Sequence, residues 1–440
     1  MIYLLTVKAR YEKLLLSHKN CRENRQMGNL RVNIERASSD KPLSSGGPTA
    51  SRGTTQNGMR LYNERLALSL IRQYGQLPKA EIARLTGLSA QTVSVIVRQL
   101  ERDSLVIKGD KQRGKVGQPL VPFKLNPDGA FSIGLKVGRR SGDLVLLDLA
   151  GKVRKIVRQP YHFPTPTEFL AFAKSGLREL LADLPLQLHP RISGLGIASP
   201  FELWNWEEEV GAPHHVLEAW RNFDLAEEIS KLGQWPVLFC NDASAACAAE
   251  LFFGHGRTYR DFAYFYVGFF VGGGLVLNGS LFQGRTKSAG AIGPLPVPSK
   301  TGSEQLIRHA SLYLLERKLM NHGHDELVLT RNPNDWTGLG PELDQWIEDT
   351  AKNLAHAALS AAGLIDFEAI IIDGALPVDI RSQIVAATNR HFEKLDRRGI
   401  APLVIIAGSV GADARAMGGA ALSLMANFAI DRDVLFKETI

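Results

Sequence analysis

The chain has few cysteines, no long apolar run and no even spread of charge. Its three cysteines, Cys21, Cys240 and Cys247, share no Cys-x-x-Cys spacing. That excludes a disulfide framework and a cysteine-rich zinc module, and it fits a reducing, cytoplasmic setting. No apolar run approaches the roughly 20 residues that cross a bilayer, so the sequence predicts no membrane partner. The apolar opening of the chain is broken by Lys8, Arg10, Glu12 and Lys13, and no small-residue cleavage site follows. A secretory signal is therefore not expected. At 440 residues, with 45% hydrophobic and 22% charged residues, the chain reads as a globular protein of two or three domains.

Acidic charge is scarce in the N-terminal third. Residues 1–126 hold 22 Lys and Arg against 9 Asp and Glu, a balance of +13, whereas residues 127–440 hold 30 against 36, a balance of −6. Such segregation is expected when one domain meets a polyanion and the rest does not. Residues 1–58 include a run rich in Ser, Gly, Thr and Pro that has too little apolar surface to order itself. They are expected to be a disordered or misannotated extension, with Met1, Met27 and Met59 all open as the start.

Residues 59–126 carry a sharper pattern. A helical segment from Leu61 to Tyr74 stops at Gly75. A short one follows Pro78 and ends before Gly87, and Ser89 precedes a third that runs to about Arg102. In the third, Val93, Ile96, Val97 and Leu100 share one face. A hairpin is expected next, from Leu105–Gly109 and Pro119–Leu125 around a basic, Gly-rich turn. Two helices joined by Thr86-Gly87-Leu88-Ser89 have helix-turn-helix spacing. Burying the Val93/Val97/Leu100 face turns Ser89, Gln91, Thr92 and Ser94 outward, where they can reach base edges in a major groove. Arg98 and Arg102 are placed for phosphate, and Lys108, Lys111, Arg113 and Lys115 of the wing for the backbone or a minor groove. The alternative is a winged domain used for protein contact.

From residue 127 the chain mixes strands and helices in an α/β body of two lobes. Strands are expected at Phe131–Val137, Leu144–Leu149, Ile192–Ala198, Val237–Cys240, Phe262–Val267, Leu275–Leu277, Ala369–Ile372 and Leu403–Ile406. Two stretches stand out. Val237-Leu-Phe-Cys-Asn241-Asp242 runs from a strand into a small-residue helix. An Asn-Asp pair there can bind and deprotonate a hydroxyl, or simply cap the helix. Gly272-Gly273-Gly274 precedes Asn278-Gly279, which suits a tight hairpin or a close approach to phosphate but not a dinucleotide fold.

Together these features resemble the ROK family of sugar kinases and transcriptional repressors. Asn241-Asp242-Ala243-Ser244-Ala245 is similar to the family's Asn-Asp-Ala-Asn-Ala, Gly272–Gly279 to its Gly-rich stretch, and Gly418-Gly419-Ala420-Ala421 to its C-terminal helix. The resemblance implies an actin-like (ribonuclease H-like) two-lobed sugar-kinase fold behind the winged helix-turn-helix, with a sugar in the interlobe cleft. Departures are equally informative. The family's Asp-x-Gly-Gly-Thr phosphate loop is Lys136-Val-Gly138-Arg139-Arg140 here, so positioning of metal-ATP is lost and no enzyme activity is expected. Its Gly-Glu-Ile-Gly-His is Gly290-Ala291-Ile292-Gly293-Pro294, and the cysteine-rich zinc loop is absent, so no metal is expected. Asn241, Asp242 and Glu304 remain as the remnant of a sugar site, with Trp204, Trp206 and Trp220 as stacking faces or, more simply, core.

The expectation is a DNA-binding repressor of carbohydrate-utilisation genes that needs no cofactor. Its partners would be an operator duplex, a carbohydrate effector and further copies of itself, as a homodimer or a dimer of dimers, because two half-sites need two winged helices. The competing readings are an active sugar kinase with an added DNA-binding domain, and a ligand-free scaffold.

Overall fold

A computed structural model describes residues 55–110, 121–213, 215–300, 302–331 and 333–430. Two compact units are present: residues 1–66 with 430–440, and Ala67–Ala429. Of the first, residues 55–66 and Ile430 are described. The expected extension therefore lies, up to residue 54, outside the described residues, as do Lys111, Arg113 and Lys115 of the wing.

The winged region opens with α1 (Gln56–Tyr74), which stops at Gly75 in the left-handed conformation, φ 79°. Then come β1 (Gln76–Pro78), α2 (Lys79–Thr86), α3 (Ala90–Arg102), β2 (Val106–Lys108) and β3 (Pro122–Leu125). Gly87 at φ 69° ends α2, and the Ser89 side chain accepts a hydrogen bond from Thr92 N to start α3, as the Gly and Ser predicted. α3 buries Val93, Ile96, Val97 and Leu100, each contributing roughly 1.5–3 kcal/mol by leaving water. The expected hairpin forms from β2 and β3, but β1 joins it on the far side of β3, giving the order β1-β3-β2. Three residues that follow a glycine and end in a proline carry no period from which β1 could be read.

The first lobe contains β4 (Phe131–Val137), β5 (Ser141–Asp148), β6 (Val153–Pro160), α4 (Pro166–Ala182), β7 (Ile192–Ser199) and β8 (Val237–Asn241). Its sheet runs β6-β5-β4-β7-β8, antiparallel through β6, β5 and β4 and parallel from β4 through β7 to β8. Next in the chain are α5 (Asp242–Phe253), β9 (Phe262–Val267), β10 (Val271–Leu277), β11 (Ser280–Phe282) and a hairpin, β12 (Pro296–Ser299) with β13 (Gly302–Gln305). The second lobe is completed by α6 (Leu312–Asn321), α7 (Pro341–Ala362), β14 (Ala369–Gly374), α8 (Val378–Glu393), β15 (Val404–Ala407) and α9 (Ala414–Phe428). Its sheet runs β11-β10-β9-β14-β15, again three antiparallel strands followed by two parallel ones. The same topology used twice is the two-lobed, actin-like plan that the sequence led us to expect.

Each lobe has its own core. Phe131, Ile133, Leu135 and Phe169 lie in the first, and Trp346, Leu354, Ile370 and Ile372 in the second. α9 returns from the end of the chain to pack on β4 and β7 of the first lobe, while α5 lies on β10 of the second, and the two helices pack against each other. Small residues make the contacts of α9 with α5 and with β7 possible. A Cβ on Gly418 would stand 1.7 Å from the Ala245 carbonyl oxygen, and one on Gly196 1.9 Å from that of Gly419. The glycines at 272–274 belong to β10 itself, where a Cβ on Gly274 would meet Cys247 of α5 at 2.5 Å. They seat a helix there.

Candidate functional site

Two regions concentrate functional side chains. The first is the outer face of α3, where Ser89, Gln91 and Arg98 are exposed and Thr92 and Ser94 are partly so. Ser89 is partly committed, since its Oγ accepts from Thr92 N at 3.1 Å and lies 2.8 Å from Thr92 Oγ1. Arg98 Nε donates only to the Ser94 carbonyl, 3.1 Å away, one turn back on its own helix. Lys108 leans on Glu101 at 3.1 Å, so it is less free than its neighbours suggested. Val95, 54% exposed in the middle of this polar face, escaped the sequence reading. The signal was present: Val95 is the one apolar residue of the helix out of phase with the Val93/Val97 stripe. A methyl-bearing side chain there suits contact with a thymine methyl.

The second region lies where the β4–β5 turn of the first lobe meets the second lobe. It encloses a cavity of about 70 Å³ whose lining includes Lys136, Arg139, Arg140, Arg158 and Arg415. Four of these five cations are spent on carboxylates. Lys136 Nζ is 2.7 Å from Asp143, Arg158 bonds Asp143 at 3.1 Å and Asp413 at 2.5 Å, and Arg140 reaches Glu316 at 2.5 Å and Glu326 at 2.7 Å. Arg415 holds Asp242 at 3.2 Å and lies over the Tyr266 ring. Arg139 makes no hydrogen bond or ion pair among the described residues, and its Nε has no acceptor. Its guanidinium sits 4.2 Å from the centre of the Phe270 ring, which also touches Trp206 at 4.6 Å.

Burial governs the protonation chemistry of this cluster. It pulls the Lys136 ammonium down to about 8 against the attraction of Asp143, and the Arg139 guanidinium down to about 10 against that of Asp242. For Arg415, burial is outweighed by Tyr266, Asp242 and Asp143, so its pKa is raised. Asp143 is held below the usual carboxylate range by Lys136 and Arg158 in spite of burial. Phe269 and Phe270, from the β9–β10 turn of the second lobe, pack into the core of the first. The cavity is thereby far smaller than the ~300–1,000 Å³ of an ordinary small-molecule pocket.

The expected sugar contacts are distributed differently. Asn241 Oδ1 caps α5, accepting from Ala243 N at 3.0 Å and Ser244 N at 3.3 Å. Asp242 is the next residue and is tied to Arg415. Glu304 lies exposed on β13, with His309 Nε2 2.9 Å away, and it lines neither this cavity nor the groove beside β12 and β13. Trp220 is core, its Nε1 donating to the Pro164 carbonyl at 2.9 Å. Asp143, Arg158 and Arg415 were not singled out from sequence. Arg158 alternates with Arg154 on an edge strand, and Arg415 opens a helix 173 residues from its partner, so neither had a local signature. Among the described residues no group of three or more His, Cys, Asp or Glu side chains is arranged to hold a metal, and no helix is long and apolar enough to cross a membrane.

α5 runs from the cleft to the first helix of the winged region. Asp242, its first residue, faces Arg415, and Phe252, near its end, lies under Arg72 of α1, whose guanidinium is 3.8 Å from the ring centre. Arg72 is buried and its pKa is lowered to about 9, by burial first and by Arg257 second.

The profile of the ROK family matches residues 132–305, and that of a winged helix-turn-helix DNA-binding domain matches residues 60–107. The chain is 24% identical over 249 residues to the xylose repressor of Bacillus spizizenii, a match covering 55% of this chain and 62% of that one. The chain thus spans rather less than two thirds of that relative. A crystal structure of a ROK family transcriptional regulator, a homologue of the E. coli MLC protein, superposes with a TM-score of 0.59 at 21% identity, over 84% of this chain and 97% of that one. A ROK family glucokinase from Streptomyces griseus, in complex with glucose and AMPPNP, superposes with a TM-score of 0.50 at 18% identity, over 67% of this chain and 99% of that one. At these identities the two structures speak for the fold alone.

Proposed function

We propose that this chain, a ROK family protein with an N-terminal winged helix-turn-helix, is a DNA-binding transcriptional regulator. It represses carbohydrate-utilisation genes, and a ligand in the interlobe cleft sets its operator affinity. The observation that carries the reading is the outer face of α3, where Gln91, Thr92, Ser94 and Val95 surround a helix N-terminus on a compact winged scaffold, with Arg98 one turn on. Those groups supply base-edge contacts, a methyl contact and a phosphate contact in the order a recognition helix needs. The repressor name of the Bacillus relative supports the sign of regulation and the sugar class. Two copies would place two such helices on a pair of half-sites.

The mechanism is a population shift. Without ligand Arg415 holds Asp242, which anchors one end of α5, while Arg72 of α1 rests on Phe252 near the other end. A ligand that draws Arg415 or Asp242 into new bonds moves α5, and with it the seat of the winged domain. A sugar hydroxyl bonded to Asp242 would act in this way, because it must compete with Arg415 for that carboxylate. A kinase reading is weaker. The loop Lys136–Arg140 offers cations where phosphoryl transfer needs a metal-binding acid, and the carboxylate placed to act as base is already in an ion pair.

The test is fluorescence anisotropy of the full chain on the DNA upstream of its own gene, at near-physiological salt and with excess nonspecific duplex. Binding that resists the competitor is the expected result. Binding that disappears under competition reduces α3 to a nonspecific anchor and overturns the proposal.

A further inference from the structure

We infer that the cleft takes an oxyanion, the phosphate or carboxylate group of a small carbohydrate derivative, and that Arg139 is the residue that grips it. The inference rests on the reading of the cleft as a ligand site, and it adds the charge of the ligand and the place where that charge sits.

The argument begins with the uneven distribution of partners. Lys136, Arg140, Arg158 and Arg415 each touch a carboxylate, but Arg139 touches none. Yet Arg139 is only 8% exposed and lines the cavity. A buried charge without a carboxylate partner is unfavourable and calls for an explanation, and unlike Arg72, which also rests on an aromatic ring, Arg139 lines a cavity. Neutralisation does not resolve the cost, because a guanidinium that titrates at about 10 is still charged at neutral pH. Asp242 is the carboxylate that most favours its charge, but that group bonds Arg415 instead.

The charge of the lining points the same way. It carries five cations, Lys136, Arg139, Arg140, Arg158 and Arg415, against two carboxylates, Asp143 and Glu316, an excess of positive charge that favours an anion. The planar guanidinium fork matches the two oxygens of a phosphate or carboxylate better than any neutral acceptor. The Phe270 ring, which lies under the Arg139 guanidinium and against Trp206, steadies that fork by cation–π contact. Sequence alone read the change at this loop as the loss of a phosphate site. The geometry instead supplies a different, side-chain-based anion site.

Isothermal titration calorimetry of the full chain tests this with inorganic phosphate, glucose 6-phosphate, gluconate and glucose, on the native protein and on Arg139→Leu and Arg139→Lys. The expected result is binding of at least one anion in preference to glucose, weakened roughly 10–100-fold in Arg139→Leu. Arg139→Lys should recover part of the loss, because it keeps the charge but not the fork. Whether glucose 6-phosphate or gluconate binds better identifies the source of the oxyanion. The inference is overturned if no anion binds, or if the anions bind Arg139→Leu as tightly as the native protein, which would put them on the winged domain. If Arg139→Leu does not fold, the native protein and Arg139→Lys still decide it: unchanged anion affinity in the lysine variant removes the fork from the argument. Operator anisotropy on the same samples separates the two claims. DNA binding without anion binding leaves the regulator and removes the anion site, whereas anion binding without operator binding does the reverse.

Discussion

The outer face of α3 and the wall of the cleft are both polar, but they treat their polar groups in opposite ways. On α3 the side chains are exposed and bond, if at all, within their own helix, as Arg98 does to Ser94. In the cleft the charges are buried and bonded across long stretches of chain, Arg140 to Glu316 and Arg415 to Asp242. The first surface is ready for a partner as it stands. The second is largely satisfied internally, apart from Arg139 and the Nε of Arg415, so a ligand there must mostly exchange bonds rather than simply make them. A recognition surface of the first kind can be read from a single static structure, and a regulatory site of the second kind is read from what its partners would have to give up.

The contrast is most severely tested by Asp242→Ala. It strands Arg415 in the cleft and should destabilise the protein by about 3–5 kcal/mol, seen as a lower urea midpoint. A change below about 1 kcal/mol would mean that the cleft is looser and wetter than its buried pairs indicate. On the other surface, Gln91→Ala should leave the urea midpoint in place but cost roughly 1–3 kcal/mol of operator affinity, concentrated at one base position in a binding-site selection. Arg98→Ala should weaken binding to all sequences alike and lower the slope of log affinity against log salt by about one. Ser89→Ala removes the cap of α3 and should cost about 1 kcal/mol of stability, with a DNA effect no larger than that loss of helix explains. The smallest effect concerns the thiols. Burial raises the Cys240 thiol to about 12 and that of Cys247 well above its usual value, so at pH 8 almost no thiolate is present. Neither should react with a thiol reagent until the protein unfolds, and rapid labelling of Cys240 at pH 8 would show that the cleft side of β8 opens readily.

Legibility in the sequence followed the range of the interaction. The α3 stripe, its Ser89 cap and the Gly87 stop are written within a few residues of each other, and the winged fold could be read almost complete. β4 and β9 were equally plain, being continuous apolar runs. β6 was missed because an edge strand that alternates Arg154, Ile156 and Arg158 shows little apolar signal. β10 was shortened because its glycines suggest a loop, although they lie in the strand to let α5 approach. The cleft was the least legible part. Its pairs join Lys136 to Asp143 and Arg158 across one sheet, but Arg140 to Glu316 and Asp242 to Arg415 only through the closure of the lobes, and no local pattern encodes that. What the sequence did reveal was the replacement of an acidic loop by Lys136, Arg139 and Arg140, without the carboxylates those cations would meet.

The placement of α5 has a mechanical consequence. Ten residues separate Asp242 from Phe252, a span of roughly 15 Å at 1.5 Å per residue. A tilt of about 5° pivoting at the Asp242 end would sweep the Phe252 end through about 1.3 Å, against a guanidinium that lies 3.8 Å from the ring centre. Under the proposed mechanism α5 would serve as a lever arm, with the close contact of Gly418 on the Ala245 carbonyl limiting how it can tilt. A methyl group added at Gly418 would act there as a wedge.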